Sequence, residues 1–294
     1  MDNLITLYQQ HLNLQGATFS RIEHEDATVA VVYKIITAEG TPLILKICMR
    51  NNHYFHELYC LRYFADTLPV PRIIKTVQPE ASIKGALLME CLPGDLPKAK
   101  DFTEDLAHEI GALLARIHLN RVAGYGDLTQ PDNLGPSPCA YFTMKFEEGL
   151  AECSKHLPQA LIEKCRDYFD THINLLDTVD GPCITHRDFR AGNILVDNGK
   201  VQGIIDWSSA RASFAQEDFC PLEHDGWPTN PNSKQSFLAG YATVRPVPEY
   251  HAMMPLLRLN KAITSMGFTV KRGTWENSEN RLYHYNRQFL EAFF

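Results

Sequence analysis

The sequence predicts an α+β protein of two lobes: a small N-terminal lobe with an antiparallel sheet and one helix, and a larger, mainly helical C-terminal lobe. Three observations carry this reading. Two β-branched runs near the start are joined by a turn, apolar residues after Thr103 recur at spacings of three and four, and a single hairpin pattern interrupts the helical region between 193 and 206.

Residues 27–36 (ATVAVVYKII) and 43–48 (LILKIC) are rich in Val and Ile, and Glu39-Gly40 between them supplies the turn of a hairpin. Asn51–Asp66 follows, with Asn51 as the helix cap and Phe55, Leu58, Tyr59, Leu61 and Phe64 mostly on one face, so this helix packs on the sheet. Pro69 and Pro71 keep the next stretch extended. Gly85–Glu90 then reads as a buried strand that ends where Pro93-Gly94 breaks the backbone, which divides the chain into lobes of residues 1–92 and 93–294. In the second lobe, Leu106, Ile110, Leu113, Leu114 and Ile117 outline the first helix, and 140–155, 158–176, 233–244, 250–266 and 279–293 also read as helical.

A chain of 294 residues, 45% of them hydrophobic, can bury a sizeable core. Its formal net charge of -7 argues against a general affinity for nucleic acid or an anionic membrane, both of which need clustered Lys and Arg, and favours a neutral or cationic small molecule. With no apolar run of about 18 residues and no basic stretch ahead of an apolar one, the expectation is a cytoplasmic protein, monomeric or weakly homodimeric. The eight cysteines are scattered without CxxC pairs or zinc spacing, which suits reduced, mostly buried thiols.

The chemistry concentrates in THRDFRAGNILVDNGKVQGIIDW, residues 185–207. Asn198-Gly199 is a strong signal for a two-residue type I′ turn. That turn would set Asn193 opposite Ile204 and Asp206 opposite Ala191, making Asn193 and Asp206 diagonal neighbours on one face, about 7–8 Å apart at the backbone. Two oxygen-bearing side chains so placed can hold one hard cation such as Mg²⁺. Asp188, in the loop entering the hairpin, brings a second carboxylate to the same end.

His186-Arg187-Asp188 with Asn193, followed by Ile205-Asp206-Trp207, resembles the catalytic and metal-binding loops of the protein-kinase-like fold. The Trp after the metal Asp and the Ala-Gly before Asn193 are similar to the aminoglycoside phosphotransferase and choline kinase family. Lys46 on a strand, Glu57 on the next helix and LLMECLPG as a hinge fall in the matching order, so the likeness covers roughly residues 20–225.

The resemblance implies a bilobal protein-kinase-like fold and transfer of the ATP γ-phosphate, with GTP as another possible donor, to a hydroxyl of an amino sugar, aminoglycoside or other amine-bearing small molecule. By the same resemblance Lys46, braced by Glu57, would bind the nucleotide phosphates, and Glu90 and Cys91 at the hinge would meet the rest of the nucleotide. Asn193 and Asp206 would hold Mg²⁺, Asp188 would accept the hydroxyl proton, and His186 and Asp218 would support the loops. Glu223, Asp225, Trp227, Trp275 and Glu276 would wall the acceptor, carboxylates and indoles suiting a cationic amine.

Two departures stand out. RIEHEDATVAVVY, residues 21–33, should carry a glycine-rich phosphate loop, yet it has no glycine and bears Glu23, Glu25 and Asp26, leaving backbone amides near Ala27 and Thr28 to reach phosphate. Arg187 and Phe189–Ala191 stand where the family more often shows Gly, Leu, His and Pro. Two other readings remain open at this point: a two-metal phosphoester hydrolase using His186, Asp188, His224 and Asp225, and a silent nucleotide-binding relative.

Overall fold

The computed structural model describes residues 3–23, 30–224, 227, 230–276 and 281–294. Glu25, Asp26, Ala27, Thr28 and Asp225, singled out above, lie outside the described residues. In chain order the elements are α1 (Asn3–Leu12), β1 (Thr18–Arg21), β2 (Ala30–Ile36), β3 (Pro42–Cys48), α2 (Asn51–Phe64), β4 (Ile73–Val77), β5 (Ala86–Glu90), α3 (Glu104–His118), α4 (Cys139–Cys153) and α5 (Gln159–His172). Then come β6 (Cys183–Thr185), β7 (Ile194–Asp197), β8 (Lys200–Ile204), β9 (Arg211–Ser213), α6 (Cys220–Glu223), α7 (Pro231–Ala242), α8 (Met254–Lys271) and α9 (Arg281–Phe293). The α+β class is as expected.

Contacts gather the chain into two compact units. The first comprises residues 1–117, 186–211 and 227–246, so it runs past Leu92, where the sequence suggests a boundary, as far as Ile117. Its sheet has the order β1-β2-β3-β5-β4, with every pairing antiparallel. One face of this sheet buries Tyr33, Ile35, Leu45, Ile47 and Leu88 against Tyr8 and Leu12 of α1, a helix absent from the sequence reading. The Tyr8 hydroxyl stays satisfied there by donating to the Lys84 carbonyl at 2.7 Å.

In α2 two expectations are corrected. Arg50, with extended backbone, is the N-cap and Asn51 is already helical. Phe55 is 40% exposed, whereas Tyr54, His56, Glu57, Leu58, Cys60, Leu61 and Phe64 are buried. The buried face is turned toward the polar partners of His56 and Glu57 described below, a requirement that apolar spacing alone does not register.

Further along the first unit α3 and α7 cross closely at two glycines. A Cβ on Gly111 would lie 1.9 Å from the Phe237 carbonyl oxygen, and one on Gly240 would lie 1.9 Å from that of His108. Beside them β7 and β8 form the expected hairpin, with Asn198 (φ 50°) and Gly199 (φ 72°) in the left-handed conformations that its turn demands. The register is corrected. Asp197↔Lys200 and Val196↔Val201 pair as the turn dictates, but Leu195 then meets Gly203 and Ile194 meets Ile204, leaving Gln202 as a bulge. Asn193 therefore aligns with Ile205, whose N–H donates to its carbonyl at 2.9 Å, and not with Ile204. Gly203 suits this place because a Cβ there would press within 2.5 Å of Leu92.

The second unit comprises residues 118–185, 212–226 and 247–294. Its α4 and α8 approach at Gly149 and Gly267, where a Cβ on the latter would meet the former's Cα at 2.7 Å. Phe146 stacks on Phe169 of α5 with centroids 3.9 Å apart, and α9 packs on α8. All eight cysteines are free thiols. Among the described residues no helix is long and apolar enough to cross a membrane.

Candidate active site

Lys46 lies in the middle of β3, opposite Val32 on one side and Leu87 on the other. Its ammonium donates to Glu57 Oε2 at 2.8 Å and to Asp206 Oδ1 at 2.8 Å. The Lys46 and Glu57 side chains are only 8% and 2% exposed, while that of Asp206 is 30% exposed. Burial alone would pull the lysine pKa down, but Asp206 and Glu57 outweigh it and raise it above the usual lysine range. Burial pushes the Glu57 carboxyl up, with Lys46 opposing, whereas for Asp206 the pull of Lys46 and its hydrogen bond overcomes burial and keeps the carboxyl ionised far below its usual range. Two carboxylates against one ammonium leave the cluster short of positive charge.

Asp206 follows β8 with φ 62° and ψ 65°, a left-handed conformation that turns the chain sharply out of the hairpin. The turn is held from several sides. Ser208 Oγ donates to Asp206 Oδ1 at 2.8 Å, and His56 of α2 binds the Ser208 carbonyl through Nδ1 at 3.1 Å. Trp207 is fully buried, donates its indole N–H to the Ile204 carbonyl at 3.2 Å and stacks on Phe64 at 5.0 Å.

The loop 186–193 is organised around Asp188. Asn193 Nδ2 donates to Asp188 Oδ2 at 2.8 Å and to its carbonyl at 2.7 Å, and Arg190 Nε donates to Oδ2 at 3.3 Å. His186 is buried beneath, donating from Nε2 to the Ile205 carbonyl at 3.1 Å and accepting the Asp188 N–H on Nδ1 at 3.3 Å. Ile205 thus receives His186 on its carbonyl and gives its N–H to Asn193, which ties the loop to the residue just before Asp206.

The site suits a hard cation on the chemistry of its donors. Both hydrogens of the Asn193 amide nitrogen are spent on Asp188, leaving its oxygen as the outward ligand, and Asp206 Oδ1 is committed to Lys46 and Ser208, leaving Oδ2. Oxygen donors beside a charge-deficient cluster are what Mg²⁺ takes. The hydrolase arrangement fits poorly. His186 uses both ring nitrogens as above, and His224 uses both as well, Nε2 toward Asn286 at 2.9 Å and Nδ1 toward Arg258 at 3.4 Å, so neither imidazole has a lone pair for a metal.

The other singled-out residues are dispersed. At the hinge, Glu90 gives its N–H to the Arg72 carbonyl at 2.9 Å and accepts the Arg72 N–H on Oε2 at 3.3 Å, and Cys91 beside it is half-buried. Asp218 belongs to the second unit, where it is buried and pairs with His118 Nε2 at 3.1 Å. Trp227, expected on the acceptor wall, is buried in the first unit. It is 9% exposed, donates its indole N–H to the Phe189 carbonyl at 3.0 Å, and packs on Phe102 and Phe189 at 5.5 and 5.6 Å, so its faces are taken by the first unit's own rings. Glu223 accepts the Tyr250 hydroxyl at 3.1 Å, Trp275 lies against His156 at 4.2 Å, and Glu276 is exposed.

Sequence reasoning missed His56, Ser208 and Arg190. Ser208 carried a usable signal in its position two residues after Asp206, where a hydroxyl can bond back to the carboxylate. His56 carried none, because a histidine next to Glu57 on an apolar helix is indistinguishable from core filling.

Residues 23–256 match the model of the family described as "Phosphotransferase enzyme family". The chain is 25% identical over 231 residues to a homoserine kinase of Neisseria meningitidis serogroup B, covering 74% of this chain and 67% of that one. It is 26% identical over 203 residues to a homoserine kinase of Gluconobacter oxydans, covering 67% of this chain and 62% of that one. It therefore spans about two thirds of the length of these relatives. Among solved structures, a thermostable mutant of aminoglycoside phosphotransferase APH(4)-Ia in ternary complex with ADP and hygromycin B superposes with a TM-score of 0.73 at 14% identity, over 100% of this chain and 98% of that one. The streptomycin–ATP complex of APH(2″)-IIa gives 0.65 at 14% identity, over 99% and 97%. At such identities the structural likeness speaks for the fold.

Proposed function

The chain belongs to the phosphotransferase enzyme family, and from that premise we propose that it transfers the γ-phosphoryl group of ATP to the hydroxyl of a small amine-bearing acceptor, a class that includes both aminoglycosides and homoserine. The observation that carries this is the Lys46–Glu57–Asp206 ion cluster, with both bonds at 2.8 Å, joined through Ile205 to a loop that presents Asp188.

In this reading Glu57 fixes the ammonium of Lys46 so that it can meet nucleotide phosphate oxygens, and Asp206 is kept ionised by the same ammonium. Asn193 Oδ1 and Asp206 Oδ2 would hold Mg²⁺, which when bound offsets the negative charge of the phosphates. Asp188, oriented by Asn193 and Arg190, accepts the proton of the acceptor hydroxyl as its oxygen attacks phosphorus. His186 fixes the loop that carries Asp188 and takes no proton. The relatives named homoserine kinase favour an acceptor that combines an amine with a primary hydroxyl.

ADP release with Mg·ATP, measured over a panel of amino alcohols, amino acids and amino sugars, tests the reading. Asp188→Ala should lower turnover by about a thousandfold or more while Mg·ATP binding stays within a few-fold of wild type. Wild-type turnover in Asp188→Ala on a verified acceptor would refute the assignment.

A further inference from the structure

The phosphate chain of a nucleotide is the part of the ligand for which the chain offers fewest partners. Residues 21–33 contain no glycine, and the Lys46–Glu57–Asp206 cluster sets two carboxylates against one ammonium. A further hydrogen-bond donor beside that cluster would help to hold phosphate oxygens, and the first turn of α2 carries one that the site described above leaves unused. His53 stands three residues before His56 and four before Glu57, so the three side chains share one face of α2. The other two fix where that face points. Glu57 Oε2 accepts from the Lys46 ammonium at 2.8 Å, and His56 Nδ1 binds the carbonyl of Ser208, two residues past Asp206, at 3.1 Å. Side chains on a helix lean toward its N-terminus, which carries the His53 ring one turn beyond the Glu57 carboxylate along the same face. The first turn of α2 has no acidic residue that would repel a phosphate there.

The His53 ring is half-buried, and its Nδ1 is enclosed without a hydrogen-bond partner among the described residues. Burial holds the imidazole neutral, its pKa pushed down to about 4, with Arg50 and His56 adding to the effect and Asp206 opposing it. A neutral imidazole has one N–H and one lone pair. An enclosed donor with nothing to meet is rarer in proteins than an enclosed acceptor, so the hydrogen belongs on Nε2, the nitrogen at the accessible end of the ring. Nε2 has no partner among the described residues either. An apolar side chain of the same size would spare the chain the cost of the unsatisfied Nδ1, so packing does not explain why a histidine stands here.

We propose that His53 is a phosphate-binding residue, whose Nε2–H donates to an oxygen of the nucleotide's terminal phosphates beside Lys46, in place of the backbone amides that a glycine-rich loop would offer. The assignment rests on the phosphotransferase reading. The contact is a hydrogen bond from a neutral ring to an anion, and no proton is transferred in it.

Calorimetric titration of the full chain with Mg·ATP, Mg·tripolyphosphate and adenosine provides the test, with urea unfolding of each variant alongside. His53→Leu should weaken Mg·ATP and Mg·tripolyphosphate about ten- to a hundredfold, the size of a lost hydrogen bond to a charged group, and leave adenosine within about twofold of wild type. His53→Gln, whose amide can bring an N–H close to the position of Nε2, should recover part of the loss. The urea midpoint of His53→Leu should equal or exceed that of wild type, because the substitution removes the enclosed nitrogen. A histidine kept for packing would behave differently, lowering the midpoint and weakening all three probes together. The proposal is overturned if His53→Leu binds Mg·ATP as wild type does, if it loses adenosine to the same degree, or if it does not fold. The phosphotransferase reading fails separately. Should wild type phosphorylate no member of the acceptor panel yet bind Mg·tripolyphosphate, and His53→Leu lose that binding, the phosphate subsite stands without the reaction. Should wild type bind neither Mg·ATP nor Mg·tripolyphosphate, both fall.

Discussion

Replacing Lys46 by Met would take the shared ammonium from between Glu57 and Asp206. Asp206, 30% exposed, keeps contact with water, but Glu57 is 2% exposed and would be stranded. Breaking a buried pair from one side costs on the order of 3–5 kcal/mol, and Lys46→Met should lose about that much at pH 8. The loss is smaller in acid. Burial already raises the Glu57 pKa above its ordinary value of 4.5, and without Lys46 it rises further, so the folded state binds a proton that the unfolded chain releases. Stability then falls as pH increases through the interval between the ordinary carboxylate value and the folded one. Converting both partners to apolar residues in Lys46→Met/Glu57→Leu should return stability to within about 1 kcal/mol of wild type while leaving turnover absent. Urea-unfolding midpoints by circular dichroism at pH 5, 6.5 and 8 provide the measurement. A single mutant that loses less than about 1 kcal/mol, or a double mutant no more stable than the single, would show that the cluster does not carry the electrostatic load assigned to it.

Other consequences are open to direct measurement. His224 is held neutral, with its pKa lowered from 6.5 to about 4, so its contribution is fully present above 6.5 and is lost as pH falls through about 4. The interval corresponds to roughly 3 kcal/mol, and the stability gap between wild type and His224→Gln should narrow by about that amount between pH 7 and pH 4. Arg187 has φ 64°, so Arg187→Val should lose more stability than Arg187→Gly, which removes the same side-chain contacts without the backbone strain, read by thermal unfolding. Gly240→Val would drive a side chain into the His108 carbonyl, 1.9 Å from the position a Cβ would take, and should cost about 3 kcal/mol or more.

Arg187 also bears on the motif itself. Its position in HRDFRAGN looked like a departure from a glycine, and the backbone gives the reason for the glycine, since the residue sits in left-handed space. Gln202 teaches the opposite lesson. The Asn-Gly turn dictated the pairing next to it, but a bulge two residues further on moved Asn193 into line with Ile205, and nothing in an apolar run announces where an extra residue will be accommodated. In α2, apolar spacing found the helix and misjudged its face at Phe55, because Glu57 had to reach Lys46 and His56 had to reach the Ser208 carbonyl.

By itself the sequence determined the α+β class, most of the long helices, the hairpin turn and the motif residues from His186 to Asp206. Those properties are local: period, turn chemistry and short spacing act within a few residues along the chain. What only the tertiary structure decided are pairings between distant residues, such as Lys46 with Asp206, Trp227 with the Phe189 carbonyl, and Asn286 with His224 and Arg258. A buried polar group is stable only beside its partner, and the fold, not the spacing along the chain, sets which partner arrives.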